Sequence, residues 1–190
     1  MAACGSNEAV RLPFNETKTT QAAARLLKLR GGRMSYMKLI KLLYLVDREA
    51  LLRWGRPLTG DRYVSMDKGP VVSGTLDLIN EGDAKRIWSE YISAPEGYEV
   101  SLLRDAPADE LSAAEEELIE EIFRLHGHKS RWELVDLMHS LSEWENPNGS
   151  AIPIEYHDIL IRSGKTELEA RAIEEELESL AAVQALLGPQ

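Results

Sequence analysis

Apolar positions recur with helical spacing along most of this chain. The strongest run is 36–54, YMKLIKLLYLVDREALLRW. At about 100° per residue, Tyr36, Leu39, Ile40, Leu43, Tyr44, Ala50, Leu51 and Trp54 share one side, and Lys38, Lys41, Arg48, Glu49 and Arg53 share the other. A helix apolar over most of its surface belongs in a core, so this run predicts a buried central helix, opened by Ser35. Before it, Thr19 or Thr20 is placed to cap a helix that runs to Arg30 and stops at Gly31-Gly32. After it come a turn over 55–61 and a short strand over 63–66. Gly69-Pro70 then opens a helix over 71–79, because proline suits the first helical position.

The second half alternates period and punctuation. Two β-like runs, 85–92 and 98–103, flank Pro95-Glu96-Gly97 and predict a β-hairpin. Ser112 with Glu115, and Ser130 with Glu133, are capping boxes. The first opens a helix with Leu118, Ile119, Ile122 and Phe123 inward. The second opens a helix over 131–144 with Leu134, Val135, Leu137, Met138 and Leu141 inward and Glu133, Asp136, Ser140 and Glu143 outward. His139 falls at the rim of its apolar face. Residues 152–163 read as a short helix or irregular chain, and 166–187 as a last helix. Ile173, Leu177, Leu180 and Leu187 share one face of that helix, while Glu174, Glu175, Glu176 and Glu178 point elsewhere. The expectation is a mainly α fold with a small β element (α+β), a compact helical domain around a buried central helix. Residues 1–13 are read as a flexible N-terminal arm and 14–187 as one domain.

Asp47 breaks the pattern. It lies on the apolar side of the central helix, where an unpartnered carboxylate is costly. Arg56, Arg62, Tyr63 and His139 are its candidate partners. The residue is either a structural hydrogen-bond hub or a catalytic acid, and the sequence offers no second chemical group beside it.

Charge changes the picture more than composition does. Residues 1–70 carry 13 Lys and Arg against 6 Asp and Glu, whereas 71–190 carry 9 against 26, for a net charge of −10. A basic front and an acidic back suggest a charged partner or pairing between copies. Overall acidity makes a nucleic-acid partner unlikely, since that affinity rests on cations against phosphates. No apolar run is long enough to cross a membrane, no secretory signal is legible at the N-terminus, and Cys4 is the only cysteine, so the reading is a cytoplasmic protein.

Candidate chemistry is thin. Gly69 to Gly74 lacks the spacing and the lysine of a phosphate loop. His126 and His128 have no cysteine or adjacent carboxylate to complete a metal site. Arg131 and His139 share a helix, as in some ribonucleases, but stand farther apart than that pair usually does. Trp132 and Trp144 read as core anchors. No catalytic set, metal or cofactor emerges, and the protein is read as a non-enzyme.

The run Lys38 to Arg48, the block Gly55-Arg56-Pro57-Leu58-Thr59-Gly60-Asp61-Arg62-Tyr63, the turn Lys68-Gly69-Pro70-Val71, and Glu133 to His139 with Glu143-Trp144 together resemble the Panacea domain of SocA-like antitoxins, over roughly residues 14–180. Met138 stands where that family often has threonine. Asp47, Arg56, Asp61, Tyr63, Gly69, Pro70, His139 and Trp144 are the positions that carry the motif. The resemblance implies a mostly helical antitoxin of a bacterial, often prophage-borne, toxin–antitoxin system that neutralises a cognate protein toxin by binding it. One branch of the family is a proteolytic adaptor that delivers its toxin to the ClpXP protease, and no residue here identifies that activity. The alternative is a winged-helix-like DNA-binding repressor that autoregulates its operon, since helix, turn, helix and strand follow in order. For the toxin, two surfaces compete: the stripe Lys38, Lys41 and Arg48, and the acidic C-terminal region with Glu174, Glu175, Glu176 and Glu178. The acidic surface is favoured, because a toxin acting on nucleic acids or nucleotides presents a basic site.

Overall fold

Asn15 starts the first helix. Its side chain accepts the Lys18 amide at 2.8 Å, and α1 runs Glu16–Leu29. This start lies a turn ahead of the expected Thr19 or Thr20 cap. Both threonines are instead buried within the helix, their hydroxyls donating to the carbonyls of Asn15 and Glu16. The computed structural model describes residues 10–82 and 86–187. Most of the expected N-terminal arm, Cys4 included, lies outside that range.

Strand β1 (Arg33–Ser35) leads directly into α2 (Tyr36–Trp54). Leu39, Leu42, Leu43, Tyr44, Val46, Ala50 and Leu51 are at most 1 % exposed. α2 packs against α1 and against several of the elements that follow it, so the central-helix expectation holds. Two details differ. Ser35 precedes the helix but makes no side-chain cap bond. Trp54, expected inside, is 39 % exposed at the last turn.

Then come β2 (Tyr63–Ser65), β3 (Val71–Val72) and α3 (Ser73–Glu81). Pro70 therefore does not open a helix. The β-branched pair Val71-Val72 adds to β2 as a strand, Tyr63 opposite Val72, and the helix waits until Ser73. A second correction follows at α4 (Ile87–Tyr91), where a strand over 85–92 was expected; residues 83–85 lie outside the described range. Trp88 is buried here, α4 packs on α1, and the Trp88 amide donates to Glu16 Oε1 at 3.2 Å. Tertiary packing overrides the β propensity of the run. A remnant of the expected hairpin survives as bridges between Ile92 and Leu102 and between Glu96 and Glu99. Strand β4 (Glu99–Ser101) itself pairs with β1, setting buried Met34 opposite buried Val100.

α5 (Ala113–His126) and α6 (Arg131–His139) both start at the expected capping boxes. α6 ends five residues early, because successive turns after His139 carry Glu143 inward. Glu143 is 3 % exposed, the reverse of its expected outward position. Strand β5 (Ile152–Ile154) joins β2 from the other side, giving the antiparallel order β3-β2-β5. α7 (Tyr156–Arg162) and α8 (Glu167–Leu187) close the chain. The protein is thus mainly helical, with two small antiparallel sheets among the described residues.

Candidate functional site

Two of the motif residues, Asp47 and Tyr63, meet on the face of α2 that packs against β2 and the turn before it. Asp47 is fully buried. Its Oδ1 accepts the backbone amides of Leu58 at 3.0 Å and Thr59 at 2.9 Å. Its Oδ2 accepts the Thr59 hydroxyl and, at 3.2 Å, the Tyr63 hydroxyl. Of the four partners expected, only Tyr63 is there. Arg62 reaches Asp77, His139 turns to the Asp67 carbonyl, and Arg56 is exposed. A carboxylate facing four donors needs no counter-ion, so the turn over 55–61 is folded around Asp47 by hydrogen bonds. Burial pushes its carboxyl up to about 7, against the opposing pull of the Thr59 and Tyr63 hydrogen bonds.

Asp61 does a related job. Its Oδ1 accepts the amides of Arg62 at 2.7 Å and Gly74 at 2.6 Å, and its Oδ2 accepts the amide and hydroxyl of Thr75, both at 2.8 Å. The residue before α3, Val72, has no side-chain acceptor, so Asp61 caps that helix from outside its own segment. Burial raises the Asp61 carboxyl above its ordinary range. Gly74 leaves the room: a Cβ there would stand 2.9 Å from Asp61 Oδ1.

A second buried centre lies beside the first. Glu143 accepts the Tyr44 hydroxyl at 2.9 Å and Arg48 Nε at 2.6 Å through Oε1, and Arg48 Nη2 at 3.2 Å through Oε2. Burial alone would raise the Glu143 carboxyl, but the Arg48 hydrogen bond and charge bring it below the usual range. Tyr44 meets Tyr63 edge-on at 5.3 Å, and Tyr63 meets Tyr156 at 5.5 Å, so aromatic rings join the Glu143 and Asp47 centres.

The basic stripe divides. Arg48 is held on Glu143, while Lys38 and Lys41 are 6 % and 1 % exposed. Lys38 Nζ donates to the carbonyls of Gly127 and Lys129, and Lys41 Nζ donates to the carbonyl of Lys68. Burial, with Lys68 adding to it, lowers the Lys41 ammonium to about 8. The stripe is an internal clamp on two turns, leaving no free surface for a partner. Gly69 has φ of +91°, and a Cβ there would stand 2.3 Å from Met138 Cβ, so that turn sits flush against α6. Pro70 is buried next to it. His139 stacks on Trp144 at 4.2 Å, and Trp144 Nε1 donates to the Met66 carbonyl at 3.1 Å. Trp132, expected as a core anchor, is 52 % exposed.

The acidic positions of α8 also divide. Glu175, Glu176 and Glu178 are exposed, whereas Glu174 is half-buried and meets His157 Nδ1 at 3.1 Å. The Leu187 side chain lies outside the described residues. Among the described residues no group of three or more His, Cys, Asp and Glu is placed to hold a metal ion, and no helix is long and apolar enough to cross a membrane.

The arrangement is that of a scaffold: its buried carboxylates are saturated with donors, and sequence phase located Asp47 but missed Glu143. The family model described as "Antitoxin SocA-like, Panacea domain" matches residues 39–145, which contain both buried centres and every motif position. The match is narrower than the resemblance over 14–180. No curated protein and no solved structure matches the chain. With the match covering more than half of its length, the chain belongs to the SocA-like antitoxin family that carries the Panacea domain.

Proposed function

We propose that this protein is the antitoxin of a cytoplasmic toxin–antitoxin pair and neutralises its cognate toxin by direct binding, without catalysis of its own. Membership of the SocA-like antitoxin family carries the reading. The burial of α2 counts against the repressor alternative: a helix whose side chains fill the core cannot lie in a major groove.

The surface we assign to the toxin is α8. Glu175, Glu176 and Glu178 form an exposed acidic band, and Val183 and Leu186 beyond them are 51 % and 87 % exposed. An apolar tip with an acidic flank suits a partner with an apolar groove and a basic rim. The test is calorimetric titration of the neighbouring gene's product into the protein and into a variant with Glu175, Glu176 and Glu178 changed to Lys. The expected result is tight binding by the original, at least about tenfold weaker binding by the variant, and a weaker salt dependence. Equal binding by both at low and physiological salt would move the interface elsewhere. No binding by either would remove the antitoxin reading for that gene pair.

A further inference from the structure

Trp132 and Tyr98 are among the most exposed large side chains of the body, at 52 % and 66 %. They stand together. The Arg131 guanidinium lies 5.1 Å from the Trp132 ring centre and 5.7 Å from the Tyr98 ring centre, and Lys68 Nζ lies 5.7 Å from the Trp132 ring. Arginines elsewhere on the surface, such as Arg53, Arg104 and Arg162, sit on carboxylates. Among the described residues Arg131 and Lys68 make no ion pair; aromatic rings hold them instead. A cation–π contact fixes a cation without neutralising its charge. Nearby carboxylates are engaged: Glu133 accepts the Ser130 amide at 2.7 Å in its capping box, and Asp67 accepts the Gly149 amide at 2.9 Å. Asp136 is exposed on the outer face of α6.

The patch is also built from beneath. Lys38 grips the turn at 127–129 that leads to Arg131, and Lys41 grips the carbonyl of Lys68 itself. Tyr98 is tied by its carbonyl to the Tyr36 amide at 3.0 Å, at the start of α2. Exposed Trp, Tyr and Arg on a rigid base are the residue types that carry most binding energy at protein interfaces.

We infer that Lys68, Arg131, Trp132 and Tyr98 form a docking site for a protein segment that carries carboxylates beside an apolar side chain. Carboxylates would meet Arg131 and Lys68, and the apolar side chain would cover the open ring surface of Trp132 and Tyr98. A stacked base is the poorer occupant on Trp132, because Arg131 and Lys68 already lie over that ring. A net charge of −10 also repels a phosphate chain more than a segment with a few carboxylates. The site is separate from α8. Lys38 and Lys41 lie in the first turns of α2, whereas Gly55, past its end, faces Ile173 of α8. Lys38 and Gly55 stand about 25 Å apart along the helix axis. The inference therefore stands whether or not α8 holds a toxin.

The test is selection of a phage-displayed random dodecapeptide library on the immobilised full chain, followed by anisotropy titration of the recovered peptides. The comparison variants are Lys68→Gln with Arg131→Gln, which remove both charges, and Trp132→Ala, each checked by thermal melting. The expected result is peptides enriched in Asp and Glu next to a large apolar residue. They should bind at least about tenfold more weakly to both folded variants and weaken as salt is raised. Peptides without acidic enrichment, or binding unchanged in the variants, would overturn the inference. So would a fluorescein-labelled oligothymidine that binds the original and not the double variant while no acidic peptide is recovered.

Discussion

At Asp47 the geometry says how the side chain can be replaced. Its Oδ1 holds two backbone amides and its Oδ2 holds two hydroxyls. Asparagine keeps the oxygen for the amides, and the hydroxyls of Thr59 and Tyr63 can rotate to accept from its nitrogen. Asp47→Asn should therefore fold with stability close to the original. Asp47→Ala leaves buried donors unpaired and should destabilise by about 2–4 kcal/mol in urea unfolding. The two outcomes should also differ with pH. The folded carboxyl is raised to about 7 from an ordinary 3.8, so between those values the folded chain holds a proton that the unfolded chain releases. That makes the Asp47 contribution fall as pH rises from about 4 to about 7 and level off above. The asparagine variant, lacking the proton, should gain on the original across that interval; a constant difference from pH 4.5 to 7.5 would count against the raised carboxyl. Helical phase was enough to find Asp47 in the sequence. Its partners were not legible, because a buried charge suggests an opposite charge, while the donors used here are amides whose position depends on the folded turn.

Elements differ from their expected form where a distant contact decides. The α3 boundary moves because Asp61, twelve residues earlier than Ser73, supplies the cap. The α6 boundary moves because Glu143, which the pattern alone places outward, must reach Arg48 and Tyr44. Glu143→Gln should leave Arg48 buried without its counter-charge and destabilise by about 3 kcal/mol at neutral pH, measured by chemical unfolding. The Glu143 carboxyl is held below its usual range, so its contribution is present at neutral pH and is lost as pH falls through the carboxylate range. The turn between β2 and β3 gives a sharper comparison. Gly31 and Gly69 have nearly the same φ, +93° and +91°, but a Cβ meets nothing within 4 Å at Gly31 and stands 2.3 Å from Met138 Cβ at Gly69. Gly31→Ala should lose about 1 kcal/mol from backbone strain alone, and Gly69→Ala about 1–3 kcal/mol more from the clash with α6. Equal melting temperatures for the two variants would mean that the turn relaxes away from α6. The glycine signal was visible in the sequence, but which of two similar glycines touches a neighbour was not.

At the scale of the whole molecule, charge is sorted along α2 more finely than along the sequence. The basic front of the chain puts Lys38 and Lys41 inside, where they hold the turns that present Lys68 and Arg131. The acidic back puts Glu175, Glu176 and Glu178 on the exposed side of α8, the helix whose Ile173 faces Gly55. α8 itself has two parts. Ala170 and Leu177 are at most 1 % exposed and dock the helix, with Ile173 against Gly55. Residues 182–186 are all exposed and bury nothing. A helix end that adds no packing adds little stability, so removing 183–190 should shift the melting temperature by no more than about 2 °C. Under the antitoxin reading the same truncation removes Val183 and Leu186 from the toxin surface, and toxin affinity should drop at least about tenfold. Leu177→Ala is the contrasting case: it empties a core position, should cost about 2–5 kcal/mol, and should lower stability and toxin binding together. Truncation that spares stability and loses binding assigns the free end of α8 to the partner. Truncation that spares both leaves the toxin to another face, and the Trp132 patch at the opposite end of α2 is then the surface to vary next.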